Sequence, residues 1–143
     1  MFFKELINRV KELYVKYHET LSYLFFGFLT FVVSIISYKF LNITLNINEL
    51  IANVLSWIAA VTFAYITNKI WVFKAPTHGF RQIIKEASAF FGGRILTLVI
   101  EEIIILIFVT LLNFSSLVVK VIAQIIVIIL NYIISKKLVF NKK

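Results

Sequence analysis

The residues able to do chemistry are few, and most lie in the second half of the chain. Glu101 and Glu102 stand side by side in a run from Ile95 to Val109 that is otherwise apolar except for Thr97. Arg94 precedes Glu101 by seven positions, and Lys120, Gln124 and Asn131 interrupt the next apolar stretch. Residues seven apart on a helix share a stripe two turns apart, so Arg94 and Glu101 occupy one face while Glu102 points about 100° away. At the centre of a bilayer each ionised group costs about 2.5–3.5 kcal/mol, against about 0.5 kcal/mol gained per neighbouring Ile or Leu. About eight apolar neighbours therefore offset only about 4 of the roughly 6 kcal/mol that two carboxylates cost. Arg grips phosphate bidentately, and carboxylates accept hydrogen bonds from sugar hydroxyls or exchange protons. A cation–carboxylate–cation series suits a ligand bearing a phosphate and hydroxyls. The competing reading is mutual neutralisation, in which a carboxylate pairs with Arg94 and Lys120 and the set only holds helices together; either cation alone could also snorkel to the surface.

Other chemistry is poorly supplied. The chain has no cysteine, which removes disulfides, thiolate nucleophiles and Cys-based metal sites. His18 and His78 are isolated, and no Gly-rich phosphate loop, Ser-His-Asp set or acidic metal motif occurs. Neither an enzyme nor a cofactor is expected.

The elements that must position these groups are membrane helices. The 143 residues are 61% hydrophobic and only 15% charged, more apolar than a soluble fold can bury. Uncharged or nearly uncharged stretches long enough to span lie at about 21–40, 50–67, 88–112 and 117–135. Residues 2–19 carry Phe3, Ile7, Val10, Tyr14 and Tyr17 at helical spacing against Lys4, Arg9, Lys11 and Lys16, the pattern of an amphipathic helix lying in the interface. Phe80, Ile83, Ile84 and Ala87 against Arg81, Lys85 and Glu86 repeat it more briefly before the third span. Twelve of the fifteen basic residues fall before span one, between spans two and three, or after span four, the last group including Lys136, Lys137, Lys142 and Lys143. The positive-inside rule then puts both termini and the middle loop in the cytoplasm of a cell whose cytoplasmic membrane holds the protein. The net charge of +8 is read as contact with anionic headgroups, not nucleic acid.

The two halves resemble one another. Tyr65 to Phe73 and Tyr132 to Phe140 share the pattern Tyr-x-x-(Asn/Ser)-Lys-x-x-Val-Phe, 67 positions apart, and in the same register Asn53 matches Lys120 and Trp57 matches Gln124. Phe25-Phe26-Gly27 is matched to Phe90-Phe91-Gly92. The expected architecture is an all-α integral membrane protein of one domain, residues 1–143, built from two parallel two-helix repeats at about 1–75 and 76–143, each preceded by an interfacial helix. Asn53, Arg94, Glu101, Glu102, Lys120, Gln124 and Asn131 are the candidate substrate-binding residues. Asn68, Lys69, Trp71 and Lys136 are candidate basic and aromatic anchors at the inner interface.

Taken together, Phe26-Gly27, Ala52-Asn53, Asn68-Lys69-Ile70-Trp71-Val72-Phe73, Arg94, a carboxylate at 101 or 102, Lys120, Asn131-Tyr132, Ser135-Lys136 and Val139-Phe140 resemble the GtrA-like family of small four-span membrane proteins. The resemblance covers nearly the whole chain, and the repeated basic-aromatic stop is its most specific part. It implies a role in cell-surface polysaccharide or teichoic-acid glycosylation, by moving a polyprenyl-phosphate-linked sugar across the cytoplasmic membrane for an outward-facing glycosyltransferase. The doubled Glu101-Glu102 departs from the family pattern and leaves open which carboxylate is used. Four short spans enclose little volume, so a homo-oligomer is expected. Two other functions stay open: a membrane subunit that anchors a glycosyltransferase without transport, and a proton-coupled exporter of small cations with Glu101 as the exchanging group.

Overall fold

The computed structural model describes residues 1–141; Lys142 and Lys143, counted above among the cytoplasmic charges, lie outside the described residues. All regular structure among the described residues is helical: α1 (Phe2–Lys39), α2 (Glu49–Thr67), α3 (Phe80–Ile105) and α4 (Ser116–Ile134). Each helix closes in a π-helical turn, at Phe40–Thr44, Asn68–Val72, Leu106–Leu111 and Ser135–Val139. Terminal carbonyls in an apolar medium need partners from the chain itself. The wider turns supply them: the Phe73 N–H donates to Asn68 O at 2.8 Å and the Phe140 N–H to Ser135 O at 2.8 Å. Left-handed residues then break off three of the four helices, Asn46 (φ 53), Lys74 (φ 48) and Asn113 (φ 57), the position that Gly or Asn usually fills.

α1 departs from expectation. The amphipathic segment 2–19 and the first apolar stretch are one unbroken helix of 38 residues. Nothing between Glu19 and Leu21 interrupts it, since proline is absent from the whole stretch and Gly27 is its one glycine. At 1.5 Å per residue it runs about 57 Å, against about 30 Å of hydrocarbon, so its N-terminal half extends past any span. The segment 80–87 is likewise the opening of α3, not a separate element.

By length and composition, three of the four helices are apolar enough to cross a membrane: those over Phe2–Thr44, Glu49–Val72 and Ser116–Val139. α3 stands apart from these because Arg94, Glu101 and Glu102 fall within its apolar stretch.

The chain divides into two compact units, Met1–Lys74 and Ala75–Lys143. In the first, α2 buries Ala52, Ser56, Ala60 and Ala64 at fourfold spacing against α1. Small residues in such a stripe let helix backbones approach closely, which favours association where lipid offers no hydrophobic drive. Tyr23 of α1 packs on Phe73 with ring centroids 6.4 Å apart. In the second unit α4 buries Val119, Ala123, Val127 and Asn131 at the same spacing, and Phe90 of α3 packs on Phe140 at 6.0 Å. Corresponding members of the two sets are 67 positions apart, as are the left-handed Asn46 and Asn113. The match of Phe25-Phe26-Gly27 to Phe90-Phe91-Gly92 falls two positions outside this register. Tyr23 is the residue that takes the place of Phe90, and Phe25 is 59% exposed.

Candidate functional site

The seam between α3 and α4 holds most of the predicted site. Thr97 is buried at its centre, and its hydroxyl reaches Asn131 Oδ1 on α4 at 2.9 Å and the Arg94 carbonyl oxygen, one turn back, at 3.1 Å. A Thr hydroxyl back-bonding to its own helix is common in apolar settings; here the same proton is shared with an acceptor across the seam. Asn131 is 5% exposed, so it ties α3 to α4 from inside and does not line an open surface. Gly93 brings the helices close, since a Cβ built there would stand 2.8 Å from Ile134 Cγ2.

One turn beyond Thr97, Glu101 is half-buried at the flank of the seam. Its Oε1 accepts a hydrogen bond from Gln124 Nε2 at 2.5 Å. Glu102, pointing about 100° away as its place on a helix requires, is exposed. The structure thus gives the two adjacent carboxylates different surroundings, and Glu101 is the one at the seam.

Arg94 does not reach Glu101. Seven residues separate them by about 10 Å along the helix axis, and the guanidinium lies instead over the Phe90 ring, 4.9 Å from its centroid. Stacking of this kind holds Arg94 in place without consuming its charge. Lys120 is exposed, one turn before Gln124 on α4 and on the same face. Among the described residues neither cation forms an ion pair with Glu101 or Glu102. The second unit therefore carries, along one flank of its seam, a stacked guanidinium, a carboxylate–amide pair and an exposed ammonium. The second unit also holds an apolar cleft of about 430 Å³ lined by Ile104, Phe108, Phe114, Val118 and Ile122.

The remaining predicted residues are spread more widely. Asn53 belongs to the first unit, where it lines a separate polar cleft at the α1–α2 turn. Trp71 is exposed and stacks on Phe26 at 5.6 Å with an interplanar angle of 11°. Lys136 is exposed, its Nζ 3.5 Å from the Tyr132 hydroxyl. Asn68 and Lys69 differ from the expected headgroup anchors: they are buried in the π-turn of α2, 3% and 7% exposed, and Asn68 Oδ1 has no hydrogen-bond partner.

Phe90 beneath Arg94 was readable from the sequence as an aromatic four residues back on the same helix face. The Thr97–Asn131 and Glu101–Gln124 bonds were not, because they depend on the axial register of α3 against α4.

The family model described as GtrA/DPMS, transmembrane domain, matches residues 22–140. A Listeria monocytogenes serovar 1/2a protein named cell wall teichoic acid glycosylation protein GtcA is 33% identical over 126 residues, which are 88% of this chain and 87% of that one. The protein of the same name from Listeria innocua serovar 6a is 35% identical over 124 residues, 87% of this chain and 86% of that one. The uncharacterized membrane protein YwcD of Bacillus subtilis strain 168 is 38% identical over 120 residues, 84% of this chain and 94% of that one. No solved structure matches the chain.

Proposed function

Since the chain belongs to the GtrA/DPMS transmembrane-domain family, we propose that this membrane protein serves cell-wall glycosylation as a carrier, moving a polyprenyl-phosphate-linked sugar across the cytoplasmic membrane. The role in glycosylation is supported by the names of the Listeria relatives. The carrier step is supported by one observation above the rest, the Glu101–Gln124 pair at the flank of an apolar helix seam. Packing does not need a carboxylate there, and an ionisable group at membrane depth marks a ligand path by default.

In this reading the four helices all cross the membrane, α3 included, with both termini and the middle loop in the cytoplasm. Arg94, stacked on Phe90, and Lys120 meet the phosphate at different depths, Arg94 nearer the cytoplasmic side. Glu101 accepts from sugar hydroxyls while Gln124 holds its other oxygen positions in place. Glu102 adds negative potential on the neighbouring face. Asn131 acts with Thr97 as a positioning pair, and Asn53 contributes from the first unit. Asn68, Lys69, Trp71 and Lys136 set the helix ends at the inner interface. The polyprenyl tail stays in lipid. Two parallel repeats are supported by the shared 67-position offset of the buried stripes, the aromatic pairs and the left-handed asparagines. The N-terminal half of α1 lies along the cytoplasmic surface or beyond it. A homo-oligomer supplies the enclosed volume that one chain lacks, and a membrane glycosyltransferase uses the delivered sugar.

The test is surface glycosylation in cells whose own copy is replaced by variants. Glu101→Gln combined with Glu102→Gln abolishes sugar transfer while the protein still reaches the membrane. If that double variant and Arg94→Ala both support full glycosylation, the protein is a glycosyltransferase anchor and not a carrier.

A further inference from the structure

The first unit contains a second polar feature that the seam of the second unit does not explain. Ser34, Tyr38 and Lys39 at the end of α1 face Glu49, Asn53 and Ser56 at the start of α2 across a cleft of about 570 Å³. Ser34 and Tyr38 are one turn apart, and Glu49, Asn53 and Ser56 fall at i, i+4 and i+7, so two polar stripes meet where both helices are otherwise apolar. The volume lies in the range of small-molecule sites, about 300–1,000 Å³. Ser56, 1% exposed, donates to the Asn53 carbonyl oxygen at 2.9 Å. Across the turn, Asn42 Nδ2 donates to Ile47 O at 3.0 Å and the Leu50 N–H donates to Asn48 Oδ1 at 2.9 Å.

Charge makes the cleft stand out. Within the first unit, Lys4, Arg9, Lys11 and Lys16 lie in the N-terminal half of α1 and Lys69 at the far end of α2, whereas Lys39 closes α1. The positive-inside rule gives no reason for a cation at that end. An ammonium, a carboxylate, an amide, a phenol and the Ser34 hydroxyl lining one cleft, with Ile35, Ile43 and Leu50 as its apolar members, are a set that recognises one phosphate and several hydroxyls. Lys39 would act as the point charge on phosphate, as lysine does in other phosphate sites. Glu49 and Asn53 would take sugar hydroxyls. With one cation and one carboxylate, the cleft suits a singly charged phosphodiester better than a diphosphate.

We propose that this cleft is a binding site for the glycosyl-phosphate headgroup at the non-cytoplasmic face, where the sugar is held after crossing. The placement at that face rests on the carrier reading above; the binding chemistry does not.

The experiment uses the full chain in nanodiscs, with both faces open, and mass-spectrometric readout of Lys39 after brief amine labelling. A polyprenyl-phosphate-linked hexose slows Lys39 labelling at least fivefold, and the diphosphate-linked lipid protects at least tenfold more weakly. Glu49→Gln and Asn53→Ala each weaken protection by the hexose lipid about tenfold, with thermal transitions unchanged, while bare polyprenyl phosphate still protects. Protection by hexose 1-phosphate at equal concentration assigns the site to free glycosyl phosphates; protection by the lipid alone assigns it to the membrane-borne form. Equal labelling of Lys39 with and without each of the four ligands overturns the proposal. Transbilayer movement is scored in sealed vesicles carrying the same protein. Movement without Lys39 protection removes the cleft and leaves the carrier; protection without movement removes the carrier and leaves a headgroup site.

Discussion

Glu101→Gln separates a ligand-binding carboxylate from a structural one, because the two roles predict opposite signs. The substitution is nearly isosteric and keeps an oxygen that can accept from Gln124 Nε2, whose bond to Glu101 is 2.5 Å long in the native protein. Interhelical hydrogen bonds in membranes average about 0.6 kcal/mol and reach about 1.7, and only part of that is lost when the acceptor becomes neutral. Removing a half-buried charge from an apolar stretch returns about 2 kcal/mol. The variant is therefore as stable as the native protein or more so. Transport moves the other way. A hydrogen bond to a carboxylate contributes about 1.5–3 kcal/mol, and to a neutral amide about 0.5–1.5. The loss is about 1–1.5 kcal/mol per sugar hydroxyl, so two hydroxyls give a fall of roughly 30- to 150-fold. Glu102→Gln removes a carboxylate that lies off the seam and meets no sugar hydroxyl in this reading, so its effect stays under about 1 kcal/mol, less than about fivefold in rate. The assays are thermal unfolding in micelles and initial rates of lipid-linked sugar movement in vesicles. A Glu101→Gln protein that loses more than about 2 kcal/mol of stability yet moves lipid at the native rate would show that Glu101 only holds helices together. Equal rate losses for the two single variants would also refute the assignment.

Three further perturbations follow from the packing of the second unit. Thr97→Val strands the buried Asn131 Oδ1 without its donor, costing about 1–3 kcal/mol; unfolding of the single variant against Thr97→Val combined with Asn131→Leu reads this, and the double variant recovers part of the loss. Gly93→Ala drives a methyl into Ile134 Cγ2 at 2.8 Å; the branched side chain cannot swing clear, so stability falls by about 1–3 kcal/mol, and adding Ile134→Ala restores some of it. Asn113 holds φ 57 where α3 ends; Asn113→Gly leaves the melting temperature within error, while Asn113→Val costs about 1–2 kcal/mol.

Much of the helix layout is legible in the sequence because apolar runs and their stops have local causes. Asn48 caps α2 with its own side chain, and asparagines at 46 and 113 allow the left-handed exits. The chain divides near residue 75, and Pro76 and Gly79 fall in the loop between α2 and α3. Continuity of α1 was harder to see, since a change from amphipathic to apolar pattern does not end a helix unless a breaker accompanies it. Phe25-Phe26-Gly27 matches Phe90-Phe91-Gly92 by identity, but it is Tyr23, 67 positions before Phe90, that packs on Phe73. Within the site, the residue types were readable but their partners were not. Arg94 shares a stripe with Glu101 yet lies two turns off, too far to pair, and the flat face of Phe90 was nearer. Gln124 as the partner of Glu101 depends on how two helices slide against each other, which no single-chain periodicity records. The polar cleft around Lys39 is hidden for a similar reason: its six polar residues come from two helix ends, and each alone reads as an ordinary polar stop.

The carrier account meets its most direct test in liposomes containing only the purified protein and a labelled polyprenyl-phosphate sugar, with transbilayer movement followed by a membrane-impermeant reagent. The account predicts movement well above protein-free vesicles for the native chain and its loss in Glu101→Gln. Native protein, folded and correctly inserted, that moves no such lipid faster than empty vesicles would contradict it.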